Sequence, residues 1–197
     1  MLASSNQGKI REIQQILAPF KIKLLSLLEI DNLPPIVEDG DSFAANALKK
    51  ARTIQEHTKG WVLADDSGLE VEALGGAPGV LSARYSGEKA TDTENNTKLL
   101  HEMEKVADEQ RTACFKAAIV LLGPNGEQVA AEGRLDGMIA HEPCGDNGFG
   151  YDPVFYLPEF KKTAAQLTAE QKNAISHRAR ALKKLSQQLT NLFKNKR

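Results

Sequence analysis

The run Trp61-Val62-Leu63-Ala64 stops abruptly at two adjacent carboxylates, Asp65-Asp66, and Ser67-Gly68 follows. A short apolar run with turn chemistry behind it predicts a buried strand. The end of that strand then puts Asp65 and Asp66 at the rim of a sheet, where open α/β folds bind ligands. Two carboxylates at such a rim suit a divalent metal or a water-activating base. Successive residues of an extended chain face opposite ways, so the two acids have different jobs. The same four polar residues also suit a plain Asp-Asp-Ser-Gly turn with side chains bonded to their own backbone.

The flanking sequence has the grammar of an α/β protein. Met1 to Ala3 is the stub of a first strand, and Ser4-Ser5-Asn6-Gln7-Gly8 is a loop. Ile10, Ile13, Ile16 and Leu17 recur at helical spacing before Pro19. Ile22 to Leu25 suits a strand. Ser42 is a natural cap for a helix with the stripe Phe43, Ala47, Leu48, Ala51 and Ile54. Leu69, Val71 and Ala73 alternate with Glu70 and Glu72 as in a half-exposed strand. Thr91 to Ala107 is expected to be helical. Thr112–Leu122 and Gln128–Ile139 flank Pro124-Asn125-Gly126, a hairpin signal. A long antiparallel hairpin beside parallel units implies a mixed sheet. Pro153 to Tyr156 is expected to be a short strand. The last helix turns Ala179, Leu182, Leu185, Leu189 and Phe193 inward and starts at Ser176 or, with Thr168 and Gln171, earlier.

Composition narrows the classes. The chain has 197 residues, 25 basic and 26 acidic, for a net charge of −1. That balance argues against a nucleic-acid duplex as partner but leaves room for a small anion. No apolar run approaches the roughly 18 residues of a membrane span. Cys114 and Cys144 show no metal-ligand spacing, and a cytoplasmic protein without disulfides is expected. His57, His101, His141 and His177 lack paired spacing for a metal, and no Gly-x-Ser-x-Gly elbow is present.

Four further stretches carry candidate chemistry. Ser4 to Lys9 lies between strand and helix, where backbone N–H groups and the helix dipole favour an anion. It lacks the first glycine and the hydroxyl of a Walker A loop. Glu38-Asp39 precedes a capped helix on which Asn46 and Lys50 lie four apart, either as a solvated pair or facing a common site. Gly145 to Pro153 is glycine-rich and offers Phe149 either as a stacking platform for a planar base or as a local plug. Lys172, Ser176, His177 and Arg178 form a polar group at the start of the last helix. Basic residues there oppose the dipole, which points to a functional reason such as donors facing a carbonyl.

In this order the stretches resemble the inosine triphosphate pyrophosphatase family, enzymes that clear non-standard purine nucleoside triphosphates. The resemblance is carried by Ser4-Ser5-Asn6-Gln7-Gly8-Lys9 with Glu12 and by Glu38 to Phe43 with Asn46, Ala47, Lys50 and Ala51. It continues through Ala64 to Leu69, Gly75 to Gly79, Ser82 to Tyr85, Gly148 to Pro153 and Ser176-His177-Arg178. The resemblance implies one α/β domain over residues 1–197, with an elongated mixed β-sheet flanked by helices and two lobes about a central cleft. It also implies a homodimer and magnesium-dependent (Mg²⁺) hydrolysis of ITP, dITP and XTP to the monophosphate and pyrophosphate. By residue, it implies that Ser4, Ser5, Asn6, Gln7, Gly8 and Lys9 hold the triphosphate, together with Lys50. Asp66 is then the general base, also near the metal, with Glu38 as the metal-side acid and Ser67 as a substrate contact. Phe149, Gly150, Tyr151, Asp152, Lys172, His177 and Arg178 surround the base. Only Met1-Leu2-Ala3 precede the first loop, fewer than in the family, so the first strand is expected to be short or to begin upstream.

Two other readings stay open on the residues alone. A regulatory module that binds nucleotide without turnover would use the same phosphate and aromatic loops, though not the paired acids. A phosphatase with Asp65 as nucleophile would release orthophosphate through an aspartyl-phosphate.

Overall fold

A computed structural model describes residues 1–21, 23–30 and 33–194, excluding the side chains of residues 20 and 191–194. Ile22 and the Phe193 side chain lie outside the described residues; of the strand expected over Ile22 to Leu25, residues 23–25 form none, and only the next residue, Ser26, bridges to Leu2. The helices are α1 (Gln7–Leu17), α2 (Phe43–Thr58), α3 (Asp92–Glu102), α4 (Ala169–Ile175) and α5 (His177–Lys194). The strands β1 (Val62–Val71), β2 (Thr112–Leu122), β3 (Gln128–Ile139), β4 (Phe155–Leu157) and β5 (Lys162–Thr163) form one sheet in chain order. β4 pairs antiparallel with both β3 and β5. Leu2 adds parallel bridges to Leu63 and Ser26, so the pairing is mixed, as expected from the sequence.

The described chain forms two compact units. One comprises Met1–Asp66, Ala117–Gly133 and Ser176–Arg197; the other comprises Ser67–Lys116 and Arg134–Ile175.

In the first unit, Ile10 and Ile13 of α1, Leu63 of β1, Ala117 and Ile119 of β2, and Val129 and Ala131 of β3 share a core with Ala181, Leu182 and Leu185 of α5. Each fully buried leucine or isoleucine there contributes about 1.5–3 kcal/mol. Gly133 lets α5 start directly on the sheet, because a Cβ at that position would stand 1.9 Å from the His177 carbonyl oxygen. The absence of a side chain therefore fixes where Arg178 emerges. Along α2 the buried stripe Phe43, Ala47, Ala51 and Ile54 carries Asn46 and Lys50 on the same inward side.

In the second unit, Leu69 and Val71 of β1 pack with Leu99 of α3, Met103, Phe115, Ile139 and Phe155. The Phe115 and Phe155 rings lie 4.4 Å apart at 44°.

Several boundaries differ from the sequence expectation. β1 does not end at Asp65 and Asp66 but runs through them to Val71, so the acids sit within a strand and not in a turn at its rim. Their charges are matched by cations from distant segments, which allows the strand to continue. Ala73 lies in a 3₁₀ turn, Glu72–Leu74, outside the strand. α3 stops at Glu102, short of Ala107, where the buried Arg111 guanidinium donates to the Met103 and Val106 carbonyls. Asp152–Val154 is a 3₁₀ turn, because Pro153 has no N–H to give a ladder, and β4 begins at Phe155. Both proposed C-terminal helix starts are used. Thr168 and Gln171 close one around α4, and the Ser176 hydroxyl accepts from the Ala179 N–H at the head of α5.

Candidate functional site

In the first unit, four acids and three cations from separate segments meet. The Lys9 ammonium, at the start of α1, lies 2.9 Å from Asp65 Oδ1. It is aimed by its helix start, since the Asn6 side-chain oxygen caps α1 through the Lys9 N–H at 3.0 Å. Arg178 Nε lies 3.1 Å from Asp65 Oδ2, and Arg178 Nη1 lies 2.6 Å from Glu12 Oε2. Lys50 Nζ stands 2.8 Å from Asp66 Oδ1 and 3.0 Å from Glu38 Oε2. The alternation of β1 separates the roles: Asp65 faces Lys9 and Arg178, and Asp66 faces Lys50. Asn46 braces the Glu38 loop by accepting from the Gly40 N–H at 2.8 Å.

The electrostatics separate the two neighbours. Burial alone would raise the Asp65 carboxyl, but Arg178 and Lys9 overcome that effect and hold it far below the usual carboxylate range. Burial raises Asp66 above its ordinary value; Lys50 and Lys9 pull it down, and Glu38 adds to the rise. Glu38 is also pushed up by burial, yet Lys50 leaves it below its ordinary value. Burial would lower Lys50, but Asp66 and Glu38 raise it. Asp65 is thus a fixed charge that anchors cations, and Asp66 is the carboxylate disposed to take a proton. Three cations against the four carboxylates Glu12, Glu38, Asp65 and Asp66 leave a formal charge of −1.

Glu38 and Asp66 offer hard carboxylate oxygens that already converge on one cation, the Lys50 ammonium. That donor set suits magnesium, which binds through one or two carboxylates and completes its shell with water and substrate oxygens. Among the described residues no group of three or more His, Cys, Asp or Glu could hold a metal. A closed protein cage is therefore not the fitting description.

The second unit carries the aromatic loop. Gly148 has φ of +80°, and a Cβ on it would lie 2.0 Å from Asp152 Oδ2. The bare backbone there lets Asp152 accept from the Phe149 N–H at 2.8 Å and pair with Lys172 Nζ at 2.5 Å. Lys172 Nζ also sits 4.7 Å from the centre of the Phe149 ring. The Tyr151 hydroxyl donates to the Ser82 carbonyl at 2.8 Å. Phe149 and Gly150 are half-buried, and Tyr151, Asp152 and Lys172 are buried.

The remaining sequence candidates distribute as follows. Ser4 is buried, with Ser5, Asn6 and Gln7 exposed and Gly8 half-buried ahead of Lys9. Ser67 is half-buried and follows Asp66 in β1. His177 is buried at the first position of α5, beside Arg178. The basic first turn of α5 has a local explanation: Glu12 and Asp65 offset the unfavourable helix dipole at Arg178. Sequence reasoning from spacing alone did not find Glu12 or the anchoring role of Asp65. Glu12 enters through the resemblance, and its spacing adds only that it lies about one turn from Lys9 on the buried side of α1.

A mixed α/β fold that gathers four carboxylates and three cations from separate segments at one paired, largely buried site defines the class. The family model described as the Ham1 family matches residues 1–188, and the chain belongs to that family. It is 49% identical to a dITP/XTP pyrophosphatase of Desulforamulus reducens over 98% of this chain and 96% of that protein. The solved Ham1 protein of Staphylococcus aureus superposes with a TM-score of 0.85 at 40% identity, over 96% of this chain and 97% of the other. A HAM1 protein from Coxiella burnetii gives a TM-score of 0.85 at 45% identity, again over 96% and 97%.

Proposed function

We propose that this protein hydrolyses non-standard purine nucleoside triphosphates (dITP, XTP and ITP) to the monophosphate and pyrophosphate. The observation that carries the reading is the Lys50 ammonium, 2.8 Å from Asp66 and 3.0 Å from Glu38, beside a base whose carboxyl is raised. The family relationship supports the substrate class, since the relative in Desulforamulus reducens is named for dITP and XTP.

Asp66 takes the proton of the attacking water. The new bond forms at phosphorus, the anhydride bond to the departing pyrophosphate breaks, and that group leaves with the bonding pair. Lys9, with the loop Ser4-Ser5-Asn6-Gln7-Gly8, and Lys50 hold the triphosphate, and Ser67 contacts substrate. Their positive charge offsets the charge that develops as the anhydride bond breaks. Bound magnesium, held by Glu38 and Asp66, would neutralise phosphate charge that three cations already committed to four acids cannot match.

The purine end is assigned to Phe149, Gly150, Tyr151, Asp152, Lys172, His177 and Arg178. Phe149 offers a face for stacking, and the basic residues favour a 6-carbonyl over a 6-amino group. Leaving a buried donor unpaired against adenine costs about 1–3 kcal/mol per group. The reading further places the reaction in a single two-lobed domain over residues 1–197 that works as a homodimer in the cytoplasm, with no nucleic-acid or membrane partner. No helix among the described residues is long and apolar enough to cross a membrane.

The test is kcat/KM measured side by side for dITP, XTP, ITP, ATP and GTP with Mg²⁺. The expected result is a preference of about tenfold or more for ITP over ATP, the equivalent of one unpaired donor. Equal values for ITP and ATP would refute the carbonyl-reading part. No pyrophosphate from any of the five would refute the activity.

A further inference from the structure

Both backbone polar groups of Gly150, its N–H and its carbonyl, are held by one helix. The Gly150 N–H donates to Asp92 Oδ2 at 2.6 Å, and the Gly150 carbonyl accepts from Asn96 Nδ2 at 3.0 Å. Asp92 and Asn96 stand four apart in α3, hence on one face. Gly150 adopts the left-handed region at φ of +61°. Its neighbours are tied as well: Phe149 through its N–H to Asp152, and Tyr151 through its hydroxyl to the Ser82 carbonyl. Three consecutive residues therefore each have a side-chain hydrogen bond that fixes their course.

Asn96 is an expensive residue for its position. It is only 7% exposed, on the α3 face that continues into Leu99 and Met103, and its Oδ1 has no hydrogen-bond partner among the described residues. A buried acceptor without a partner is disfavoured, and an apolar side chain of the same shape would remove that defect. The opposite amide orientation would set oxygen against the Gly150 carbonyl, so the donor must point where it does. What Asn96 gives in return is the single bond to Gly150. Asp92 likewise serves more than its helix dipole, because its carboxylate reaches 58 residues along the chain.

We propose that Asp92 and Asn96 are positioning residues that lock the Phe149-Gly150-Tyr151 loop, so that Phe149 presents its ring to the purine already oriented. The proposal rests on the assignment of Phe149 to the purine end. A loop ordered before binding loses little freedom on binding, so removal of the clamp weakens affinity for the base and leaves the chemistry alone. Asp92 and Asn96 each act through the Gly150 backbone.

The test uses the full chain with ITP and Mg²⁺, and reads KM, kcat, Tm and the inhibition constant of inorganic tripolyphosphate, which has no base. Asn96→Leu keeps the shape and removes both the donor and the orphaned oxygen. It should raise the KM for ITP about tenfold, which is a modest loss of preorganisation, with kcat within about twofold. Its Tm should hold or rise, and tripolyphosphate inhibition should not change. Asp92→Ala should raise KM similarly, and Asp92→Asn, which keeps an acceptor, should restore it. The same rise in KM with tripolyphosphate inhibition weakened in parallel would signal general damage and overturn the proposal. Unchanged KM in both Asn96→Leu and Asp92→Ala, with KM raised in Phe149→Ala, would overturn the clamp while leaving the Phe149 assignment standing. Unchanged KM in Phe149→Ala would remove that assignment, and the clamp with it.

Discussion

Replacing Asp65 with asparagine separates its anchoring role from the chemistry of its neighbour. Asp65 is 1% exposed and faces Lys9 Nζ at 2.9 Å and Arg178 Nε at 3.1 Å. The amide keeps the shape but leaves two cations without their shared counter-charge. Removing one member of a buried pair costs about 3–5 kcal/mol. For a chain of this length that corresponds to a fall in Tm of roughly 6–20 °C, at about 2–4 °C per kcal/mol. The acid side of the stability curve gives a second reading. The folded carboxyl is held far below its unfolded value, so it binds fewer protons than the unfolded chain. Its contribution is therefore complete above the unfolded value of about 4 and declines as pH falls below it toward the depressed folded value. Urea unfolding of both proteins from pH 3 to 8 should show a constant gap above about pH 5 that narrows below about pH 4. A gap under about 1 kcal/mol at pH 7 would refute the buried-anchor argument, since that is the range of an exposed pair.

The other perturbations separate the remaining parts. Asp66→Asn should lower kcat by about 10²-fold or more with the fold intact by Tm. Because the base must be ionised and its carboxyl is raised without metal, the acid limb of wild-type kcat/KM at limiting Mg²⁺ should lie above the ordinary aspartate range, and saturating Mg²⁺ on the same carboxylate should move it down. The variant's residual rate should lack that limb; near wild-type turnover would remove Asp66 from the role. Glu38→Gln should raise the Mg²⁺ concentration needed for half-maximal rate, by about tenfold for the loss of one of two carboxylate ligands, and an unchanged Mg²⁺ requirement would take Glu38 out of the metal site. Gly133→Ala should destabilise by at least about 1–3 kcal/mol, the range for overpacking, because its Cβ would stand 1.9 Å from the His177 carbonyl oxygen. Wild-type urea stability in that variant would contradict the close seating of α5 on β3.

The sequence made the parts with local causes legible. The observed β2 and β3 have the expected bounds, because apolar patterning and the Pro124-Asn125-Gly126 turn act over a few residues. The caps at Ser42 and Ser176 were visible for the same reason. β1 runs past its expected end because local patterning places a strand end at two adjacent acids. The cations that make its continuation possible, Lys9, Lys50 and Arg178, are 56, 16 and 113 positions away and carry no local signal. Arg178 shows the same limit from the other side. Its unfavourable place in the first turn of α5 was visible, but its carboxylate partners were not. Asn96 did have a local signal, a polar residue three and seven positions before the core residues Leu99 and Met103. Its partner, Gly150, lies 54 residues on. For β1 and Arg178 the missing information is long-range charge matching, and for Asn96 it is a long-range hydrogen bond.

The most direct measurement follows the atoms. In single-turnover hydrolysis of dITP with Mg²⁺ in ¹⁸O-water, ³¹P NMR identifies the products and where the solvent oxygen goes. The account predicts the monophosphate and pyrophosphate as the sole phosphorus products, with one solvent oxygen between them for each turnover and the rate lost in Asp66→Asn. Release of orthophosphate, or the same products at undiminished rate from Asp66→Asn, would contradict it.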